Sequence, residues 1–326
     1  MQNATLAPAA APARDSTRTF FQKLLRVSPF FTFAGLTMVP LALVAIIGLI
    51  VDPQVITGSP AWIKPLKFAI STGIYTFTVL YLLTFVEGHR RTIAIITNVM
   101  GVGLLVEVGL ITMQVVRGTT SHFNFATPFD GAVFETMAVF IVLVWTMGLV
   151  AAILLLRQRL PDAAWAWSLR LGMITALVGM AVAFLMTTPN AAQLANAQAG
   201  HGLPIGGAHT VGVTDGGPGL PLLGWSTVAG DLRVPHFFGL HGLQVLLIVG
   251  ILVAQTAAWL DMRHRVAIVV TAGVAYLALI GILTWQALRA QSIMHPDALT
   301  LVSLAALALA TVGVVGGVLV HGRRAA

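Results

Sequence analysis

The chain predicts an all-α, polytopic bundle of about eight transmembrane helices, and three observations carry that expectation. Of its 326 residues, 57% are hydrophobic and only 9% are charged, with a mean hydropathy of +0.91. Eight apolar runs exceed the length of about 18 residues that reads as a membrane span, at roughly 31–51, 67–87, 93–116, 131–156, 166–188, 237–260, 267–289 and 300–320. They are apolar on every face, whereas barrel strands alternate, so they read as helices. The basic residues are also unevenly placed. Thirteen, among them Arg90, Arg91, Arg157, Arg159, Arg263 and Arg265, fall on the side of both termini, against Lys64, Lys67, Arg117, Arg233 and Arg289 on the other. That positive-inside bias puts both termini in the cytoplasm. The net charge of +7 is thereby topology, and no nucleic-acid partner is expected.

Along the chain, residues 1–15, rich in Ala and Pro, read as a disordered tail. Residues 16–28 set Phe20, Phe21, Leu24 and Leu25 opposite Lys23 and Arg26, the pattern of an interfacial amphipathic helix. The first span lacks the short apolar region and small-residue cleavage pattern of a signal peptide. A single transmembrane domain follows over 29–321, with a cytoplasmic tail at 322–326. The 48 residues 189–236 hold ten glycines and five prolines but only three charges, Asp215, Asp231 and Arg233. A disordered linker is more charged than this and less apolar, so the segment reads as a folded cap on the outer face. No internal repeat of the kind found in transporters is apparent. Gly313 and Gly317, with Ala306 and Ala310 above them, suit close helix packing within the chain or in a homo-oligomer formed through 300–320.

The chain has no cysteine, which excludes disulfides, iron–sulfur clusters, c-type haem and thiolate metal sites. Six of the nine histidines, His122, His201, His209, His236, His241 and His295, fall on the outer half. Lys64, Lys67, Arg117, Asn124, Asp130, Glu135, Asp215, Asp231 and Arg233 join them from every outer loop. Convergence of that kind is what a pocket requires. Glu107 precedes Arg117 by ten residues, ~15 Å along a helix, and so lies near mid-membrane. A carboxylate there costs at least ~2.5–3.5 kcal/mol, so Glu107 is protonated, paired or facing water. Glu135 lies shallower.

In GDLRVPHFFGLHGLQ (230–244), Pro235 suits a first helical turn, and His241 shares a face with Gln244. His236, about 140° away from His241, falls on another. Catalytic candidates are therefore His241, Glu107 and Glu135. Lys64, Lys67, Arg117, Asn124, Arg233 and Gln244 are candidates to bind a substrate, Lys64 and Lys67 doubling as ordinary interfacial anchors beside Trp62. A divalent metal held by His241 with His122, His209 and Asp231 is the cofactor that the residue types admit. Haem has less support, since His241 is the only histidine clearly inside a span. The Met113 and Met294–His295 copper path is weaker than the reading of Met as apolar filler.

Three stretches, WIKPLKF (62–68), RGTTSHFNFATPFD (117–130) and GAHTVGVTDGGPGLPLLGWS (207–226) with GDLRVPHFFGLHGLQ, resemble a family of uncharacterised multi-pass inner-membrane proteins of bacteria. That resemblance implies the setting and brings no activity. Three functions stay open at this point. One is a membrane-embedded enzyme acting on a small anionic or lipid-linked substrate. Another is a proton- or cation-coupled transporter using Glu107. The last is an assembly protein whose cap is a docking surface and whose buried polar groups are structural.

Overall fold

The computed structural model describes residues 14–325, and among them eight helical segments are long and apolar enough to cross a membrane. The chain is an all-α, multi-pass membrane protein. Most of the expected tail at 1–15 lies outside the described residues. The expected interfacial segment is helix α1 (Arg14–Val27). It does not lie free: Leu24 is fully buried, and the rings of Phe20 and Phe21 sit 6.0 and 6.1 Å from those of Tyr81 and Phe77.

The first span is α2 (Pro29–Leu36) followed by α3 (Met38–Val51), with Ser28 capping α2 through a bond from Phe31 N–H. The helix breaks at Thr37 because Pro40 has no N–H and its ring crowds the carbonyl four residues back. A short hairpin, β1 (Val55–Ile56) with β2 (Ser59–Pro60), leads into α4 (Ile63–Leu83). Then come α5 (Arg90–Val116), α6 (Pro128–Arg157) and α7 (Ala163–Met186). Beyond the cap lie α9 (Arg233–Thr256), α10 (Met262–Leu288) and α11 (Ala298–Ala325). The last helix continues through residues that the sequence reads as a tail, and it is almost wholly exposed.

Two groups of helices meet face to face. One comprises α2 to α6, and the other α7, α9 and α10. The most extensive contact within the second is α7 on α9, where Gly179 meets Gly239 backbone to backbone. A Cβ on Gly239 would lie 2.2 Å from Gly179 Cα, so the absence of side chains sets the separation. On the side of the short basic connections, hereafter the basic side, both groups join in one apolar core that includes Leu80, Ile96, Met100, Val144, Leu177 and Leu243. On the other side they are roofed by the cap.

The cap is folded. It comprises α8 (Ala191–Asn196), capped by Asn190 in a reciprocal box with Gln193, a π turn at Ala197–His201, and β3 (Thr210–Val211) paired with β4 (Gly230–Asp231). It is fastened at several points. A Cβ on Gly230 would lie 2.0 Å from Ala287 O at the end of α10. Ser292 Oγ donates to Ser226 O at 3.2 Å, and Lys67 Nζ donates to Leu223 O at 2.9 Å.

Candidate functional site

Beneath the cap the two helix groups enclose a cavity of about 1110 Å³, above the ~300–1,000 Å³ usual for small-molecule sites. Its walls are largely apolar, with Phe68, Phe134, Met137, Ile141 and Phe184 among them, and its polar lining gathers Lys64, Lys67, Glu107, His122, His209 and His236.

His122 is the centre of the polar cluster. It is held in the loop after α5 by its neighbours: Phe123 is buried against Phe134, and buried Asn124 ties the loop to Thr119 Oγ1 and Thr120 O at 3.0 Å each. Lys64 Nζ donates to His122 Nδ1 at 3.1 Å, and Ser121 Oγ lies 3.0 Å from the same nitrogen. A protonated Lys64 has no lone pair to offer and so takes Nδ1 as its acceptor, the arrangement in which the neutral imidazole carries its hydrogen on Nε2. That nitrogen lies 3.6 Å from Glu107 Oε1. The distance is an electrostatic contact rather than a hydrogen bond. Glu107 Oε2 is buried and has no hydrogen-bond partner among the described residues. Glu107 as a residue lines the cavity, and a buried carboxyl oxygen left unsatisfied there calls for an explanation that a ligand or a bound proton would supply.

A second cluster follows towards the cap. His209 stacks beside His122 with ring centres 6.5 Å apart, and its Nδ1 lies 2.5 Å from Asp215 Oδ2. Asp215 also accepts from the backbone N–H of His209 and Thr210 and from Thr210 Oγ1. Burial pushes its carboxyl up, but the hydrogen bonds and charge of His209 and the bonds from the backbone and Thr210 outweigh this, leaving it well below the usual range. Burial lowers both cavity histidines outside the spans. For His122 the charges of Lys64, His209 and His236 reinforce the shift, and for His209 burial outweighs the pull of Asp215. Both are therefore neutral near pH 7.

The sign of the consequent pH effect is fixed. A histidine whose folded pKa is depressed takes up its proton in the unfolded chain first. Its contribution is complete above the unfolded value of about 6.5 and is lost as pH falls from there towards the folded value. We expect the midpoint for cap unfolding to drop between about pH 7 and pH 5. The loss per histidine reaches at most ~1.4 kcal/mol per pH unit. Thermal denaturation with a protease reporting on the cap checks this, and the slope should shrink in His122→Asn.

Several residues marked in the sequence lie elsewhere. His241 is exposed on α9, on the face turned from Gly239 and Leu243, and Glu135 is exposed on α6. Neither lines the cavity. Gln244 Nε2 donates to Thr78 Oγ1 at 3.1 Å, away from the cavity. Arg117 is spent on Asp130 at 2.6 Å and on Gln114, and stacks over Phe129. Arg233 reaches the cavity wall but is held by Asp231 through two side-chain bonds at 2.9 and 2.6 Å, and by Gly224 O. Asn124 organises its own loop. The expected metal ligands are not brought together either. Among the described residues no three His, Cys, Asp or Glu side chains are grouped to hold an ion, since Asp231 is consumed by Arg233 and His241 faces outward.

The structure also adds His236, which the sequence reading set aside. It lines the cavity with its Nδ1 2.8 Å from Gly179 O, donating there and leaving Nε2 as an acceptor. The signal for it was present: His236 lies three residues before Gly239 and shares the face that packs on α7. No family model, curated protein or solved structure matches this chain.

Proposed function

We propose that this protein is a membrane-embedded enzyme performing acid–base chemistry on an amphiphile with an anionic head group. The observation that carries the reading is the unpartnered Glu107 Oε2, beside a neutral His122 that is itself held by Lys64. In this reading Glu107 gives or takes the proton at the reacting atom. His122, through Nε2–H, responds to the change of charge on Glu107 Oε1, and Lys64 and Lys67 hold the anion. The catalytic role expected for His241 passes to His122, and the clamp expected of Arg117 and Arg233 passes to the lysines, whose charges no carboxylate contacts among the described residues. We take the membrane to be a bacterial inner membrane with the cap outward, on the arginine bias and on the family resemblance.

Proton-coupled transport would also use a carboxyl at this depth. Against it, the helices below Glu107 close over Leu104, Met100 and Ile96, all buried in the apolar core of the basic side. The test is a comparison of whole-lipid mass spectra from membranes carrying the wild type, Glu107→Gln or neither. We expect at least one anionic lipid species to change in abundance with the wild type, with the change abolished, by about 10²-fold in rate or more, in Glu107→Gln. Identical spectra for the three membranes would remove the enzymatic reading.

A further inference from the structure

We infer that the cavity is entered sideways from the bilayer, through a gap between the cap-side halves of α6 and α7, by the hydrocarbon chain of an amphiphile whose anionic head is held by Lys64 and Lys67. The inference rests on the reading of the site just proposed and adds the route and the chemical class of the ligand.

On the basic side the two helices are joined. Trp145 Nε1 donates to Leu177 O at 3.1 Å, and a Cβ on Gly148 would lie 3.2 Å from Leu177 Cδ2. Nearer the cap the same helices part around the cavity, which α6 lines with Ala138, Ile141 and Val142 and α7 with Ala183 and Phe184. Val142 belongs to the outward stripe of α6 that includes Val139 and Leu149, and it is 45% exposed. A residue on the outer stripe that also lines the cavity marks where the cavity reaches the outside of the bundle. Phe184, 40% exposed, sits edge-on to Trp145 at 6.2 Å and forms the lower lip.

Depth and charge decide what passes. Val142 is ~21 Å along α6 from Pro128, inside a hydrocarbon layer ~30 Å thick, so the opening faces lipid tails. At the far end Lys64 and Lys67 lie one turn apart on α4, facing His122 and a backbone carbonyl. Asp215 is taken up by His209 and Thr210, and Arg233 by Asp231. Lys64 and Lys67, in contrast, form no ion pair among the described residues, which leaves these two amines for an anion at the polar end of a largely apolar chamber. The complement is a long-chain anion: a phosphate or carboxylate head at the lysines and a hydrocarbon chain lying between α6 and α7.

The test uses the full-length protein in nanodiscs of neutral phosphatidylcholine, with hexadecyl phosphate and butyl phosphate as probes. Ala183→Trp and, separately, Ala138→Trp plug the gap, and the double variant Lys64→Gln/Lys67→Gln removes the head-group charges. We expect hexadecyl phosphate to bind the wild type about tenfold or more tighter than it binds either plugged variant. Butyl phosphate should bind the wild type and both plugged variants equally, which also reports that the variants are folded. The double lysine variant should lose both probes. Undiminished hexadecyl phosphate binding in both plugged variants, with loss in the lysine variant, overturns the lateral route and leaves the head-group site standing. Butyl phosphate binding as tightly as hexadecyl phosphate assigns the site to a soluble anion arriving from the cap side, and also overturns it. Full binding of both probes to the lysine variant overturns the site itself.

Discussion

Replacing Gly239 with leucine should abolish the folded protein. A Cβ at this position would stand 2.2 Å from Gly179 Cα and 2.9 Å from Gly179 N, and those are backbone atoms that no rotamer change can move. The helices would have to separate along the most extensive contact in the molecule. Within a bilayer that contact is held by close backbone approach rather than by expulsion of water. Overpacking of this kind costs ~3 kcal/mol or more. The carbonyl of Gly179 also receives His236, so separation would pull one wall from the cavity. Gly313→Leu is the matched control, since a Cβ there meets nothing within 4 Å, and it should be neutral to within about 0.5 kcal/mol. Monodisperse yield after extraction, with the thermal midpoint of whatever survives, reads both.

Asp231→Ala should have the second largest effect, ~3–5 kcal/mol. The Asp231 side chain is 1% exposed, and it ends the cap and starts α9 at once. Its carboxylate accepts from Ser226 N–H at 2.8 Å, from Arg233 N–H at 3.0 Å and from the Arg233 guanidinium. Removing it strands a guanidinium at the cavity wall and a buried N–H in the cap. Both penalties are those of unpaired groups rather than of a lost attraction. Asp297→Ala breaks the Arg289 pair, whose partners are each about one-third exposed, together with a cap bond from Thr300 N–H, and should cost far less because solvent screens the pair. Protease cleavage within 189–236 is the measurement. The cap of Asp231→Ala should be cut rapidly under conditions where wild type and Asp297→Ala resist.

The bundle was legible because a membrane simplifies the pattern. Each span must satisfy its own backbone and be apolar on every side, so length and composition alone mark the eight segments. Helix faces were harder for the same reason. A helix apolar all round carries no stripe to say which side meets protein. His241 and Gln244 share a face by spacing, yet His241 faces out and Gln244 meets α4. The better guide on α9 was its small residues. Gly239, Gly242 and Gly250 mark the side where α7 approaches, and His236 falls with them. Glu107, Lys64, Lys67, His122 and His209 could be found from cost and position, since a charge at depth needs a reason to be there. What spacing could not show was pairing. Arg117 reads as a free cation in the sequence and is claimed by Asp130, thirteen residues on, which lies within reach only once the loop folds, while Arg233, which the sequence leaves to Asp231 or to a ligand, is taken by Asp231.

The account depends on Glu107 facing a chamber that small molecules can reach. The absence of cysteine from the chain allows a direct measurement, single-cysteine labelling with a small charged methanethiosulfonate reagent applied from the cap side. Glu107→Cys should be modified, and more slowly in the presence of hexadecyl phosphate. Leu104→Cys, at a position buried in the basic-side core, should stay unmodified under the same conditions. Equal inertness of the two positions, or labelling of both, would contradict the account.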